Sequence, residues 1–190
     1  MELRLVGSEM CIRDRKGAIH YLTKDEIEKN KDYLNSFVRK DNRKIWCLIM
    51  GGPTKYYDYS TKNMKHIFSI FYKLLKKKDF QLVVIPSMRT PLNTIHYAKE
   101  FFGENHTVIM DVDKKAYLSA LAISENIIVT CDSSSMISEA ALTGKPIYIA
   151  NILPKKNDIR FQRFRNLFRD LNITRNLGED VENWTYQSLD

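Results

Sequence analysis

Five short apolar runs, separated by stretches with helical spacing, constrain this chain more than any other feature. The runs cover residues 45–50, 82–85, 107–110, 127–130 and 147–150. Apolar runs of four to six residues read as strands buried on both faces, the pattern of a parallel sheet. Between the first two runs, Met64, Ile67, Phe68, Phe71, Leu74 and Leu75 recur at three- and four-residue spacing, which predicts a helix with one apolar face. Phe161, Phe164, Leu167, Phe168 and Leu171 predict another, and Lys114–Ile123 a third. The punctuation agrees. Thr23 with Glu26 forms a capping box that opens a polar helix over 23–38. Ser60 can cap the helix after the first run, and Thr90 sets an N-cap before Pro91 at the first helical position. Gly51-Gly52-Pro53 and Pro86 stop the first two strands. Strand and helix alternate throughout, so the expected fold is α/β: a doubly wound, Rossmann-like parallel sheet with helices on both faces.

Length and charge bound the rest. The 190 residues suffice for one domain with a substantial core. No apolar stretch approaches the roughly 20 residues that span a bilayer, and no apolar leader is visible. A cytoplasmic setting is expected, with peripheral contact at the inner membrane as its extension. Cys11, Cys47 and Cys131 form no CxxC pair and no metal spacing, so neither a metal nor a cofactor is expected. Cys47 lies within an apolar run and reads as core; Cys131, at a strand end beside a helix start, reads as a small buried residue ahead of a reactive thiol. The formal charge of +7 is dispersed. Lys76, Lys77 and Lys78 close a predicted helix, where cations suit the dipole. Lys155, Lys156, Arg160, Arg163, Arg165 and Arg169 form a second cluster, read as a solvated helix face ahead of a nucleic-acid stripe; no recognisable nucleic-acid module is present.

The first fifteen residues differ in character. Gly7-Ser8-Glu9-Met10-Cys11-Ile12-Arg13-Asp14-Arg15 resembles the translation of a transposon-end adaptor from metagenomic sequencing libraries. Residues 1–15 are therefore set apart from fold reasoning, and residues 16–190 are expected to form a single α/β, nucleotide-binding-like domain.

The chemistry concentrates where two strands end. In the common 3-2-1-4-5 order, strands 1 and 4 are neighbours, and ligands bind outside their carboxyl ends. Strand 1 ends at Gly51 and Gly52; strand 4 ends in Cys131-Asp132-Ser133-Ser134-Ser135-Met136 and leads into a short helix that carries Glu139 and closes at Gly144. A helix entrance offers free N–H groups and a favourable dipole to a phosphate, and glycines permit close backbone approach. Arg89, in the loop Ser87-Met88-Arg89-Thr90-Pro91 after strand 2, can reach a phosphate with its planar fork. Lys55 can serve likewise. Glu139, one turn into the helix, suits ribose hydroxyls. Neither G-x-G-x-x-G nor G-x-x-x-x-G-K-[ST] occurs. His20, His66, His96 and His106 fall away from this edge, so no general base is assignable.

Four segments carry a family resemblance: Gly51-Gly52-Pro53-Thr54-Lys55, Ser87-Met88-Arg89-Thr90-Pro91, Asp132 through Thr143-Gly144-Lys145-Pro146, and Trp184-Thr185-Tyr186. In this order they resemble the mitochondrial fission family of plants and its bacterial relatives, over residues 17–190. Two departures touch the ligand edge: Met88 stands where the family has a first arginine, and Lys115-Ala116-Tyr117 replaces Asn-Pro-Tyr. The family in turn is similar to the C-terminal half of GT-B glycosyltransferases. That resemblance implies a nucleotide-diphosphate-sugar site, with Ser133, Ser134 and Ser135 on the phosphates, Glu139 on the ribose and Arg89 beside the diphosphate. Gly51, Gly52, Lys55, Ser87, Thr90, Asp132 and Met136 complete the expected ligand edge. It also implies truncation at both ends, with an N-terminal α/β half as the missing partner, and sugar transfer that this fragment does not perform alone. The alternative is a non-catalytic adaptor on the same scaffold, its basic helix facing a partner or an anionic membrane. The fission role of plant members does not transfer by fold.

Overall fold

The computed structural model describes residues 17, 18 and 20–189. Residues 1–15, and Cys11 with them, lie outside the described residues.

Six strands form one sheet in the order β3-β2-β1-β4-β5-β6, all parallel. They are β1 (Lys44–Met50), β2 (Phe80–Pro86), β3 (Thr107–Val108), β4 (Asn126–Thr130), β5 (Ile147–Ala150) and β6 (Thr174–Asn176). Among the described residues, six helices alternate with them: α1 (Lys24–Lys29), α2 (Thr61–Lys77), α3 (Leu92–Phe102), α4 (Lys114–Ile123), α5 (Ser134–Ala141) and α6 (Ile159–Asp170). The doubly wound α/β fold expected from the apolar runs is the fold observed. Strands β2, β4 and β5 are buried along their whole length, as a sheet covered on both faces requires. Helix α2 buries Met64, Ile67, Phe68, Phe71 and Leu74, and Ser60 caps it by accepting from Asn63 N at 3.4 Å.

Several boundaries differ from expectation. The first helix ends at Lys29, not near residue 38. Asn30 closes it, and its side chain donates to Glu26 O at 2.8 Å. A 3₁₀ turn over Tyr33–Ser36 follows, and it delivers Leu34 to full burial with its amide on Ser119 Oγ. Asn, Asp and Ser side chains in this stretch compete for backbone groups and shorten the helix. Strand β3 is two residues long, although Ile109 N still donates to Val84 O at 3.0 Å. Pro91, not Thr90, is the N-cap of α3. Helix α5 ends at Ala141, and the chain turns at Gly144, where φ is +70°. Strand β6 escaped the sequence reading because only three residues pair, and all three are polar.

Order β2-β1-β4-β5 places the winding reversal between β1 and β4, so the Gly51-Gly52 turn and the entrance of α5 share one edge of the sheet.

Candidate functional site

The floor of the edge is a glycine turn held by a buried carboxylate. Gly51 N donates to Thr130 Oγ1 at 2.8 Å and Gly52 N to Asp132 Oδ2 at 3.0 Å. A β-carbon on Gly51 would fall 2.1 Å from Asp132 Oδ2, and one on Gly52 would fall 2.0 Å from the Arg89 carbonyl oxygen. Both positions therefore require glycine for close approach. Arg89 lies over this turn: Nη1 donates to Gly52 O and Nη2 to Asp132 Oδ2, each at 3.0 Å. The Asp132 side chain is fully buried while that of Arg89 is 43% exposed, so the guanidinium is the face this pair presents to a ligand. Thr90 ties the second loop to the first. Its hydroxyl faces Gly51 O at 2.6 Å and Met50 O at 3.0 Å, and it accepts from Ser87 N at 2.8 Å. Ser87 Oγ lies 3.2 Å from Thr90 Oγ1.

The second wall is the entrance of α5. Ser133 is its N-cap, accepting from Met136 N at 3.4 Å, and its Oγ lies 3.3 Å from Ser135 Oγ. Ser133 O takes Ile137 N at 3.2 Å. Among the described residues, this leaves the amides of Ser134 and Ser135 without a partner at the positive end of the helix. Ser133 is buried, Ser134 half-buried and Ser135 exposed, while Met136 packs its side chain against the core. One turn on, Glu139 is half-buried, and its Oε2 accepts from the Tyr117 hydroxyl of α4. Burial first, then the Glu139 charge, push the Tyr117 phenol well above its usual range, so it stays a donor.

Residues 53–59 form a strap across the end of β4 that sequence reading missed. Thr54 N donates to Tyr57 O at 3.0 Å, Tyr57 pairs antiparallel with Pro154, and Lys155 N donates to Tyr56 O at 2.7 Å. Tyr59 donates its proton to Asp132 Oδ1 at 2.6 Å and lies 2.8 Å from Thr130 Oγ1. Burial and the Asp132 charge raise its phenol far above the ordinary value. Tyr57 donates to Asp158, and Arg165 donates to Tyr57 Oη at 2.7 Å, Asp158 Oδ2 at 3.0 Å and Cys131 O at 3.3 Å. Burial works to raise the Asp158 carboxyl, but bonds from Tyr57, Arg165 and Gln162 outweigh it and hold the group below its usual value. Lys55 is exposed on the strap, its ammonium 5.0 Å from the Tyr56 ring centroid, and among the described residues it bonds to no other member of the edge. The tyrosines and the basic helix were visible in the sequence; their convergence was not, because it depends on a loop crossing two strands.

Cys131 is buried, and Ile152 N donates to its Sγ at 3.2 Å. Burial pushes the thiol up to about 11, which suits a packing role. Among the described residues, no cluster of His, Cys, Asp or Glu could hold a metal ion, and no helix is long and apolar enough to cross a membrane.

The same sheet occurs in solved structures. Over 80% of this chain and 40% of theirs, an S. aureus MnaA–UDP complex superposes with a TM-score of 0.53 at 16% identity. A UDP-GlcNAc 2-epimerase from Methanocaldococcus jannaschii gives 0.52 at 17%, covering 80% of this chain and 39% of that one. The corresponding enzyme from Neisseria meningitidis, bound to UDP-GlcNAc, gives 0.50 at 17%, covering 80% and 36%. These likenesses establish the fold, the one the GT-B resemblance implied. Among curated sequences, protein RP120 of Rickettsia prowazekii (strain Madrid E) is 27% identical over 175 residues, 86% of this chain and 46% of that protein. Mitochondrial fission protein ELM1 of Arabidopsis thaliana is 32% identical over 108 residues, 54% of this chain and 25% of that protein. The chain thus spans less than half the length of these relatives. The family model described as Mitochondrial fission ELM1 matches residues 11–190, which takes in the glycine turn, the Arg89 loop, the α5 entrance and Trp184 together. The chain belongs to the Mitochondrial fission ELM1 family.

Proposed function

We propose that this chain is the donor-binding half of a GT-B-like glycosyltransferase, and that its ligand is a nucleotide diphosphate carrying a sugar. One observation carries the reading: a glycine turn, an arginine fork and the open N-terminus of α5 converge at the point where the sheet reverses its winding. The fold shared with UDP-bound relatives supports the ligand class. In this reading the diphosphate accepts from the amides and hydroxyls of Ser134 and Ser135 and from Arg89. The Gly51-Gly52 turn lets the ligand approach the backbone, and Glu139 accepts from the ribose. During transfer, negative charge grows on the departing diphosphate, and donors fixed in advance at α5 and Arg89 meet it without reorganising. Asp132, Thr90 and Tyr59 act through others: they hold Arg89 and the glycine turn in place. Asp132 and Glu139 spend their carboxylates on Gly52, Arg89, Tyr59 and Tyr117, and the GT-B resemblance assigns the base to a separate α/β half that would complete the cleft.

Calorimetry with a panel of nucleoside diphosphates tests the reading. One of them binds with a 1:1 stoichiometry, and Ser135→Arg or Arg89→Gln abolishes or weakens binding at least tenfold while thermal stability is retained. No binding by any of the panel, or binding indifferent to both substitutions, defeats it.

A second reading is favoured by one surface feature. Leu153 and Ile159 are exposed beside Lys155, Lys156, Arg160 and Arg163, the mixture that docks on an anionic bilayer. Sedimentation with anionic vesicles across a salt series decides it: salt-sensitive binding supports an adaptor role, and absent binding removes it.

A further inference from the structure

A polar groove of about 280 Å³ lies between α6 and the β5–β6 edge, and none of its lining residues belongs to the glycine turn or the Arg89 loop. Its helical wall is unusual. Gln162, Arg165, Asn166 and Arg169 fall at the three- and four-residue spacing that a helix normally reserves for the apolar residues it buries. Helix α6 packs instead through the adjoining Phe164 and Phe168, so the polar stripe is left facing the strands across an open space. The opposite wall carries Asn151, which follows β5, and Asn176, which ends β6, with Asn151 Nδ2 donating to Asn176 Oδ1 at 2.9 Å. Arg175 borders the groove through its backbone: it lies in register with Tyr148 and turns its guanidinium to the Trp184 face of the sheet. The lining thus holds two guanidinium groups, three asparagines and a glutamine, and no carboxylate.

The arginines are oriented from outside the groove. Arg165 is fixed by Tyr57 and by the buried Asp158, at 2.7 and 3.0 Å. Arg175 stacks over the Trp184 ring, 4.4 Å from its centroid, and pairs with Glu182. Arg169 faces Asp170 at 3.9 Å, with both members of that pair well exposed. Asp158 and Asp170, the acidic partners of the two lining guanidinium groups, stand outside the lining, so the groove presents guanidinium and amide groups and no carboxylate. Planar forks beside side-chain amides match the oxygens of a phosphate.

We infer that this groove binds the phosphate group of a small phosphorylated molecule, independently of the nucleotide cleft. Arg169 and Asn166 make the contacts on the helical side, Asn176 that on the strand side, and Arg165 is the fixed end against which the ligand docks. The volume admits a phosphate with a substituent of monosaccharide size.

Calorimetry and arginine side-chain NMR with inorganic phosphate, repeated with a hexose 1-phosphate, test the inference. The unaltered chain gives saturable 1:1 binding and shifts the Nε–H signals of Arg165 and Arg169 but not that of Arg175, while chloride at matched ionic strength shifts none of them. Arg169→Gln, an exposed position, weakens binding tenfold or more, and Asn176→Ala weakens it several-fold. Arg163→Gln, on α6 outside the stripe, and Arg89→Gln, in the nucleotide cleft, each leave it within twofold. A response that does not saturate, is matched by chloride, or falls equally with Arg163→Gln overturns the site. Loss with Arg89→Gln also overturns it, since the phosphate would then sit in the cleft; exclusion of the hexose phosphate overturns the ligand class.

Discussion

Nη2 of Arg89 lies 3.0 Å from Oδ2 of Asp132, and that same oxygen accepts from Gly52 N. One buried carboxylate therefore fixes both the arginine and the turn beneath it. Its other oxygen accepts from Tyr59, so Asp132→Ala leaves the buried Gly52 amide and Arg89 Nη2 without their acceptor, while Tyr59 keeps Thr130 Oγ1. At roughly 1–3 kcal/mol for each such group, urea denaturation should show a loss of about 3 kcal/mol. Nucleotide affinity should fall with it, because Arg89 loses its anchor. Asp132→Asn, which keeps an acceptor at one position only, should fall between the two. A fully stable Asp132→Ala would mean the hub is not needed.

Gly52→Ala puts a β-carbon 2.0 Å from a backbone carbonyl oxygen, an obstacle that no rotamer change removes. The loop carrying Arg89 must move, and the cost should be roughly 3 kcal/mol, at the upper end of overpacking. Gly178→Ala, where nothing lies within 4 Å of the new atom, is the control and should change stability little. Paired thermal melts of the two variants check the contrast.

What could be read from the sequence follows the range over which each feature is determined. The β1–β5 strands, the Ser60 cap and the glycine turn are local, set by apolar runs and by capping chemistry within a few residues. Their meeting at one edge followed from strand order. The strap was not legible, because Tyr59 finds Asp132 across 73 residues and Arg165 finds Tyr57 across 108, with no periodicity to announce either. The first helix ends early for a local and a distant reason: Asn30 bonds back to Glu26 O, and the Leu34 amide is taken by the Ser119 hydroxyl. Of the residues assigned to the ligand edge, most cluster around Arg89 and Ser133, while Asp132 and Thr90 prove to spend their polar atoms on the protein.

Tyr117→Phe removes the donor that orients Glu139 and keeps the ring. The lost hydrogen bond is worth about 1 kcal/mol, so the melting temperature should move little. If Glu139 binds ribose, affinity for a nucleoside diphosphate should drop about fivefold, the same energy expressed in binding, and affinity for inorganic pyrophosphate should not change. An equal loss for both ligands would place the effect on the phosphates and count against the ribose role.

His106 gives the fold a pH dependence whose sign is fixed by its surroundings. Its Nδ1 accepts from Leu82 N at 3.2 Å, which requires the unprotonated nitrogen. Burial, then the charges of Arg43 and Arg39, lower its pKa from 6.5. The unfolded chain therefore binds the proton more readily. The contribution is fully present above pH 6.5 and is lost as pH falls through the lower folded value. His106→Asn supplies an acceptor that does not titrate. Between pH 7.5 and pH 5.5 its melting temperature should decline less than that of the unaltered chain, and parallel declines would assign the acid sensitivity elsewhere.

The final segment is stitched to the body of the domain through Trp184. Its Nε1 donates to Asn172 O at 2.9 Å, its ring meets Tyr148 edge-on at 5.0 Å, and Arg175 stacks over it. Tyr148 in turn donates to Glu182 O and accepts from Glu182 N, so strand β5 and residues 182–184 are locked from both sides. Trp184→Ala removes a nearly buried indole and should cost about 3 kcal/mol, lowering the melting temperature by roughly 10 °C for a domain of this size. Trp184→Phe keeps the edge contact but loses the bond to Asn172 O, and should recover about half.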